Sequence, residues 1–148
     1  MISPGAYVQP VTQGIAFVCG AEQAAVAAQV GQIQLLNPSG SSADLILQAL
    51  TPSIASTGNL TLRRYDTPLA TPSSPLNMFL GGAAPVGQFY RQTNAVSLGI
   101  QLALIRFSTP TIILPFVFVI PPGAGLLVEA VTVNVAIQAT FSWLEVPR

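Results

Sequence analysis

The apolar and polar positions of this chain alternate in the manner of β-strands. From Thr132 to Trp143, Val133, Val135, Ile137, Ala139, Phe141 and Trp143 alternate with Thr132, Asn134, Ala136, Gln138, Thr140 and Ser142. A period of two over that length predicts a strand with one apolar face and one mostly polar face. Val96, Leu98, Ile100, Leu102 and Leu104 alternate in the same way with Ser97, Gly99, Gln101 and Ala103, and predict a second strand of this kind. Val30 to Leu36, Asp44 to Thr51 and Asn59 to Tyr65 carry weaker versions of the pattern. Ile112 to Ile120 is apolar on both faces, which predicts a buried strand bent, or placed at an edge, by Pro115. Leu126 to Ala130 predicts a short strand.

Turn signals separate these runs. Asn37-Pro38-Ser39-Gly40-Ser41-Ser42, Pro52 to Gly58, and Pro121-Pro122-Gly123-Ala124-Gly125 are rich in residues that favour turns. The 13 prolines and 12 glycines are spread along the chain, which favours short strands over long helices. Two segments fit less simply. Ala21 to Val30 is rich in helix formers and predicts one or two helical turns, or an extension into the next strand. Thr67 to Thr93 holds Pro68, Pro72, Pro75, Pro85 and Gly81-Gly82, and reads as an extended loop with few regular hydrogen bonds. Its Met78, Phe79, Leu80, Phe89 and Tyr90 are too apolar for a solvated linker.

The fold class expected is all-β: an antiparallel, jelly-roll-like β-sandwich of about seven to nine strands. Residues 1–18 are expected to form an N-terminal arm or first strand. Residues 19–148 are expected to form one domain carrying the 67–93 loop.

Charge narrows the function classes. Among 148 residues there are five Arg, no Lys, two Asp, three Glu and no His, for a formal net charge of zero. Only Arg63 and Arg64 are adjacent, too little to neutralise a run of phosphates, so no nucleic-acid partner is expected. Without His there is no Ser-His-Asp or Cys-His chemistry and no His-ligated metal. The single cysteine, Cys19, cannot form an intrachain disulfide and reads as a small buried apolar residue. Mean hydropathy is +0.61, yet no run approaches the ~20 apolar residues of a spanning helix. No membrane partner and no secretion signal are therefore expected.

The remaining chemistry is sparse. Glu129 and Glu145 form the one pair of carboxylates to set against glycoside hydrolysis, and a solvated or salt-bridged role at strand ends competes with it. Asp44, Asp66, Asn37 and Asn59 lack the spacing of a calcium loop. Asn59-Leu60-Thr61 matches the glycosylation sequon. Tyr65, Phe89, Tyr90 and Trp143 are candidates for a sugar-stacking platform, with Trp143 better placed in the core. No catalytic, cofactor or metal residue is assigned. Met78, Phe79, Leu80, Phe89 and Tyr90 are the candidate protein-interface residues. A chain so poor in charge has little repulsion between copies, so a stable homo-oligomer or a place in a larger particle is expected.

The order of turns and strands resembles that of the small jelly-roll structural proteins of tailed bacteriophages, which serve as capsid decoration (cement) proteins or head and tail appendages. Ile33-Gln34-Leu35-Leu36 runs into the Asn37-Pro38-Ser39-Gly40-Ser41 turn, followed by a strand from Asp44 and by Leu60-Thr61-Leu62-Arg63-Arg64. Later come Ile120-Pro121-Pro122-Gly123-Ala124-Gly125-Leu126-Leu127-Val128 and the close on Phe141-Ser142-Trp143-Leu144-Glu145. The resemblance implies a non-enzymatic virion protein on the capsid surface, made in the host cytoplasm. It implies that the protein binds between capsomers, with the major capsid protein as partner and itself as a homotrimer or dimer. It carries over no catalytic residue and no cofactor, and gives Thr67 to Thr93 no counterpart. The alternative is a fibre-tip or receptor-binding module holding a host glycan.

Overall fold

The structure is a computed structural model and describes residues 10, 13–55, 58–107 and 118–148. All regular elements assigned among them are strands: β1 (Ala16–Gln23), β2 (Val30–Leu36), β3 (Ala43–Ile54), β4 (Gly58–Arg64), β5 (Thr71–Ser73), β6 (Leu76–Asn77), β7 (Gln88–Asn94), β8 (Ile100–Phe107), β9 (Val119–Ile120), β10 (Gly125–Ala130) and β11 (Ile137–Pro147). They form two antiparallel sheets. One has the order β6-β1-β11-β3-β9, the other β5-β7-β2-β10-β4-β8. Without β5, β6 and β7, eight strands remain. In chain order they lie first-eighth-third-sixth in one sheet and second-seventh-fourth-fifth in the other.

The sheets face each other across one apolar core. Phe17, Leu45, Leu47, Leu50, Phe141 and Trp143 come from the first sheet, and Ile33, Leu35, Leu60, Leu62, Phe89 and Val128 from the second. On β11 the expected face is the buried one: Ile137, Ala139, Phe141 and Trp143 point inward while Gln138 and Thr140 are exposed. A shift in the β3–β11 register places Trp143 opposite Leu47 and Ser142 opposite Ala49. The extra residue on β3 lets both Leu47 and Leu50 reach the core.

Several expectations are corrected. The C-terminal strand starts at Ile137, because Val131 to Asn134 form a bend in which Asn134 adopts a left-handed φ of 58°. Asn tolerates that conformation better than most residues. Ala21 to Val30 contains no helix. Ala21 to Gln23 complete β1 against Ala139 to Ile137, and a turn closed by Gln29 N–H donating to Val26 C=O follows. Pro52 is not in a turn but within β3, opposite Ala139. Among the described residues, β9 pairs with β3 at Leu45 and Ile46. The 67–93 segment is not an extended loop: it contains β5, β6 and the first six residues of β7, which pairs with β2 along its whole length. Residues 112–117 of the expected buried strand, Pro115 among them, lie outside the described residues, as do residues 1–9, 11 and 12 of the expected arm. β1 itself runs across the boundary expected at residue 18.

The largest correction concerns β8. The strand begins at Ile100, and its leucine-rich face looks outward. Ile100 is 70% exposed, Leu102 48% and Leu104 46%, while Ile105 is buried and Ala103 packs on the core. Ala103 and Ile105 lie opposite Leu62 and Leu60, whose side chains already fill that part of the interior. A register shift between Leu62 and Arg63 accommodates this placement. One residue of slip exchanges the two faces of a strand, and alternation alone does not say which face is inside.

Candidate functional site

Between β6 and β7 the chain forms an apolar knob at one edge of the sandwich. No residue from Thr67 to Tyr90 is charged. Leu76, Met78, Phe79 and Leu80 are exposed, Leu80 at 86% of its surface. The knob is tied down at both ends. At its start, buried Asn77 donates from Nδ2 to the carbonyls of Gly14 and Ala83, both at 3.0 Å, and its Oδ1 accepts the Phe79 N–H at 2.9 Å. The Met78 N–H donates to Ala16 C=O at 2.9 Å, which extends the tie to β1. Gly81 turns the chain with a φ of 85°. Gly82 donates to Phe79 C=O at 2.8 Å and lies so close to Asn77 that a Cβ would sit 2.6 Å from Nδ2. Only glycine fits both demands.

The other end is held by Glu145. Its Oε2 accepts the Val86 N–H at 3.0 Å, and its Oε1 accepts the Gly87 N–H at 2.8 Å and the Trp143 indole N–H at 3.3 Å. This carboxylate lies on the inward face of β11 and converts the end of the core into a clamp for the knob. Hydrogen bonds to an ionised acceptor are stronger than neutral ones, so one side chain can hold two consecutive peptide groups.

Glu129 does similar work elsewhere. Leu126, Val128 and Ala130 of β10 face the core, so Glu129 points to the outer face of that sheet, yet it is buried. Its Oε2 accepts Gln32 Nε2 at 2.6 Å and the Leu98 N–H at 3.1 Å, and its Oε1 lies 3.9 Å from Arg63 Nε. Arg63 in turn donates to the carbonyls of Leu98 and Gly99 at 2.6 and 3.0 Å. Gln34 donates to the Tyr65 and Thr67 carbonyls and accepts the Leu69 N–H. Residues 65–70 and 95–99 are thereby strapped over the outer face, and this explains why β2 is buried on both sides. Glu129 and Glu145 point to opposite faces of different sheets, whereas glycoside hydrolysis needs two carboxyls flanking one bond, within roughly 5–9.5 Å of each other.

The interface candidates do not stay together. Met78, Phe79 and Leu80 form the knob. Phe89 is 1% exposed and packs edge-on against Phe141, with ring centroids 5.3 Å apart, so it is a core residue out of reach of a partner. Tyr90 is half-buried on β7, its hydroxyl 2.7 Å from Gln88 Oε1. It borders an open cavity of about 380 Å³ shared with Pro72, Pro75, Pro85 and Gln88. The sugar-stacking platform does not assemble, because Trp143 is also in the core, stacked on Phe17 at 6.1 Å. The exposed face of β8, and the anchoring roles of Asn77 and Glu145, were not visible in the sequence pattern. A carboxylate closing an apolar run (Phe141, Trp143, Glu145) was the one available signal.

The other polar candidates are engaged in the fold. Asp66 accepts from Arg64 Nη2 at 2.9 Å and from the Gly125 N–H at 3.0 Å. Arg64 beside it holds its carboxyl below the usual carboxylate range, and the Gly125 N–H adds to the effect. Asp44 lies 3.2 Å from Arg148 Nε. Among the described residues, no three of Asp, Glu or Cys gather to hold a metal. In the sequon, Thr61 is buried and its hydroxyl points to Glu129 C=O at 3.4 Å. Cys19 is a buried core residue, and desolvation pushes its thiol up to about 11. No described helix is long and apolar enough to cross a membrane.

Fold and surface thus define an antiparallel β-sandwich that presents a braced apolar knob and an apolar edge strand. No protein-family model matches the chain, and no curated protein or solved structure matches it significantly.

Proposed function

We propose that this chain is a non-enzymatic structural protein of a tailed-phage virion. It decorates the capsid surface as a homotrimer, binds the major capsid protein between capsomers and stabilises the shell. The observation that carries this reading is the knob: Met78, Phe79 and Leu80 are held out to solvent by Asn77 and Glu145. A monomer gains nothing by bracing apolar side chains in water, whereas an interface gains from anchors that need no ordering on contact. Two further observations support it. The eight-strand order matches the double Greek key of a jelly roll, the fold of many viral capsid domains. Both candidate carboxylates are occupied in holding backbone N–H groups. The test is to add the purified protein to capsids of the host phage that lack it. Saturable binding with a raised capsid melting temperature is expected. Absence of binding, or binding without a rise, overturns the reading.

One observation favours a second reading, a receptor-binding module for a host glycan. The cavity of about 380 Å³ beside Tyr90 and Gln88 falls within the roughly 300–1,000 Å³ of small-molecule clefts. Binding on a glycan array that is lost in Tyr90→Ala would support it.

A further inference from the structure

The sandwich carries a second apolar feature at the edge opposite the knob. The knob joins β6 to β7, and β6 and β5 are the terminal strands of the two sheets on that side. β9 and β8 end the sheets on the other side. There a cleft of about 220 Å³ opens among Leu102 of β8, Phe118, Val119, Ile120, Pro121 and Leu126. Val119 and Leu102 are largely exposed at this edge, 59% and 48%. The one charged residue lining it, Arg64, already shares its guanidinium with Asp66.

We propose that the knob of one copy seats in the β8–β9 cleft of the next, with Leu80 and Phe79 as the inserting side chains. The occupant is a second copy of this chain for three reasons. The cleft is smaller than the roughly 300 Å³ at which ligand sites begin, which suits one or two side chains better than a free molecule. Knob and cleft match in character, since the knob is uncharged throughout and, among the described residues lining the cleft, the one cation is paired with Asp66. They also lie at opposite edges of one sandwich, so contact between them is head-to-tail and not two-fold. Head-to-tail contacts close into a ring when the rotation between copies allows, and three copies make the smallest such ring. Packing the knob there also covers Leu102, part of the apolar face that β8 leaves in water.

This inference rests on the homo-oligomeric part of the proposed function and specifies its interface. The test uses Leu80→Cys/Val119→Cys in the full chain, treated with a short bis-maleimide and analysed on denaturing gels. Covalent trimers are expected from the double variant. Neither single variant should cross-link, and an equal mixture of the two should give dimers. The native chain is the control, since Cys19 is buried. Cross-linking by Leu80→Cys alone overturns the inference in favour of a two-fold knob contact. An oligomer by light scattering without a product joining positions 80 and 119 also overturns it, as does a monomer. In a parallel measurement, Leu80→Asp should elute as a monomer while keeping the native β-sheet circular dichroism spectrum; a persisting oligomer overturns the inference. Binding to capsids is scored separately, so stoichiometric decoration without the cross-link would sink the interface and leave the capsid reading standing.

Discussion

The carboxylate of Glu145 accepts the backbone N–H of Gly87 at 2.8 Å, joining the last strand to a segment 58 residues earlier in the chain. The same carboxylate also takes Val86 and the Trp143 indole, so one side chain ties the apolar knob to the core. Glu145→Ala leaves three donors without their acceptor, of which the Gly87 N–H and the Trp143 indole are buried. It is expected to cost about 1–3 kcal/mol in urea unfolding and to speed amide exchange at Val86 and Gly87. Unchanged exchange at these two amides would show that the knob is held by other contacts.

Phe89 separates a core role from a surface role. Phe89→Ala removes a buried ring packed edge-on to Phe141 and should cost roughly 3–5 kcal/mol. Phe79→Ala, on the exposed knob, should change monomer stability by less than about 0.5 kcal/mol. A loss from Phe89→Ala of less than about 1 kcal/mol in chemical denaturation would place Phe89 outside the core.

Ala28 occupies the left-handed region with a φ of 60° in the turn before β2. That conformation costs a residue with a Cβ roughly 1–2 kcal/mol. Glycine avoids the strain but loses more conformational entropy on folding. Ala28→Gly is expected to stabilise the protein by up to about 1 kcal/mol, read as a higher denaturation midpoint with an unchanged slope.

The Asp66 carboxyl, held low by Arg64 and the Gly125 N–H, gives a signed pH dependence. A depressed folded pKa contributes stability that is fully present above the unfolded value of about 3.9. That contribution is lost as pH falls further, through the folded value. Asp66 is partly exposed, so the contribution is modest. Melting temperature should therefore fall less steeply below about pH 4 in Asp66→Asn than in the native chain. Parallel acid limbs would show that the pair does not contribute.

Cys19 should be inert. A thiol raised to about 11 by burial holds almost no thiolate at ordinary labelling pH, and its position on β1 blocks reagent access. Labelling by a thiol reagent is expected only as fast as the protein opens, and to become rapid in denaturant. Fast labelling of the folded protein would mean that β1 separates from β11.

Local pattern is enough to make this chain a β-sandwich. The inward face of β11 from Ile137 to Trp143, the turn around Asn37 and the Pro121–Gly125 turn are matters of side-chain spacing and backbone preference, and each lies where the pattern put it. A surface poor in charge follows from composition in the same way. Three other outcomes came from tertiary contacts. The inward face of β8 was set by its pairing with β4, which puts Ala103 and Ile105 opposite Leu62 and Leu60 and leaves Ile100, Leu102 and Leu104 outside. Strands β5, β6 and β7 were drawn out of a proline-rich segment, because the edges of two existing sheets supplied partners that no local signal announces. Glu129 and Glu145 became separate clamps on opposite faces instead of a pair. Those outcomes depend on contacts between residues far apart in the chain, and one-dimensional periodicity holds no information about which distant strand, or which copy, will cover a given face.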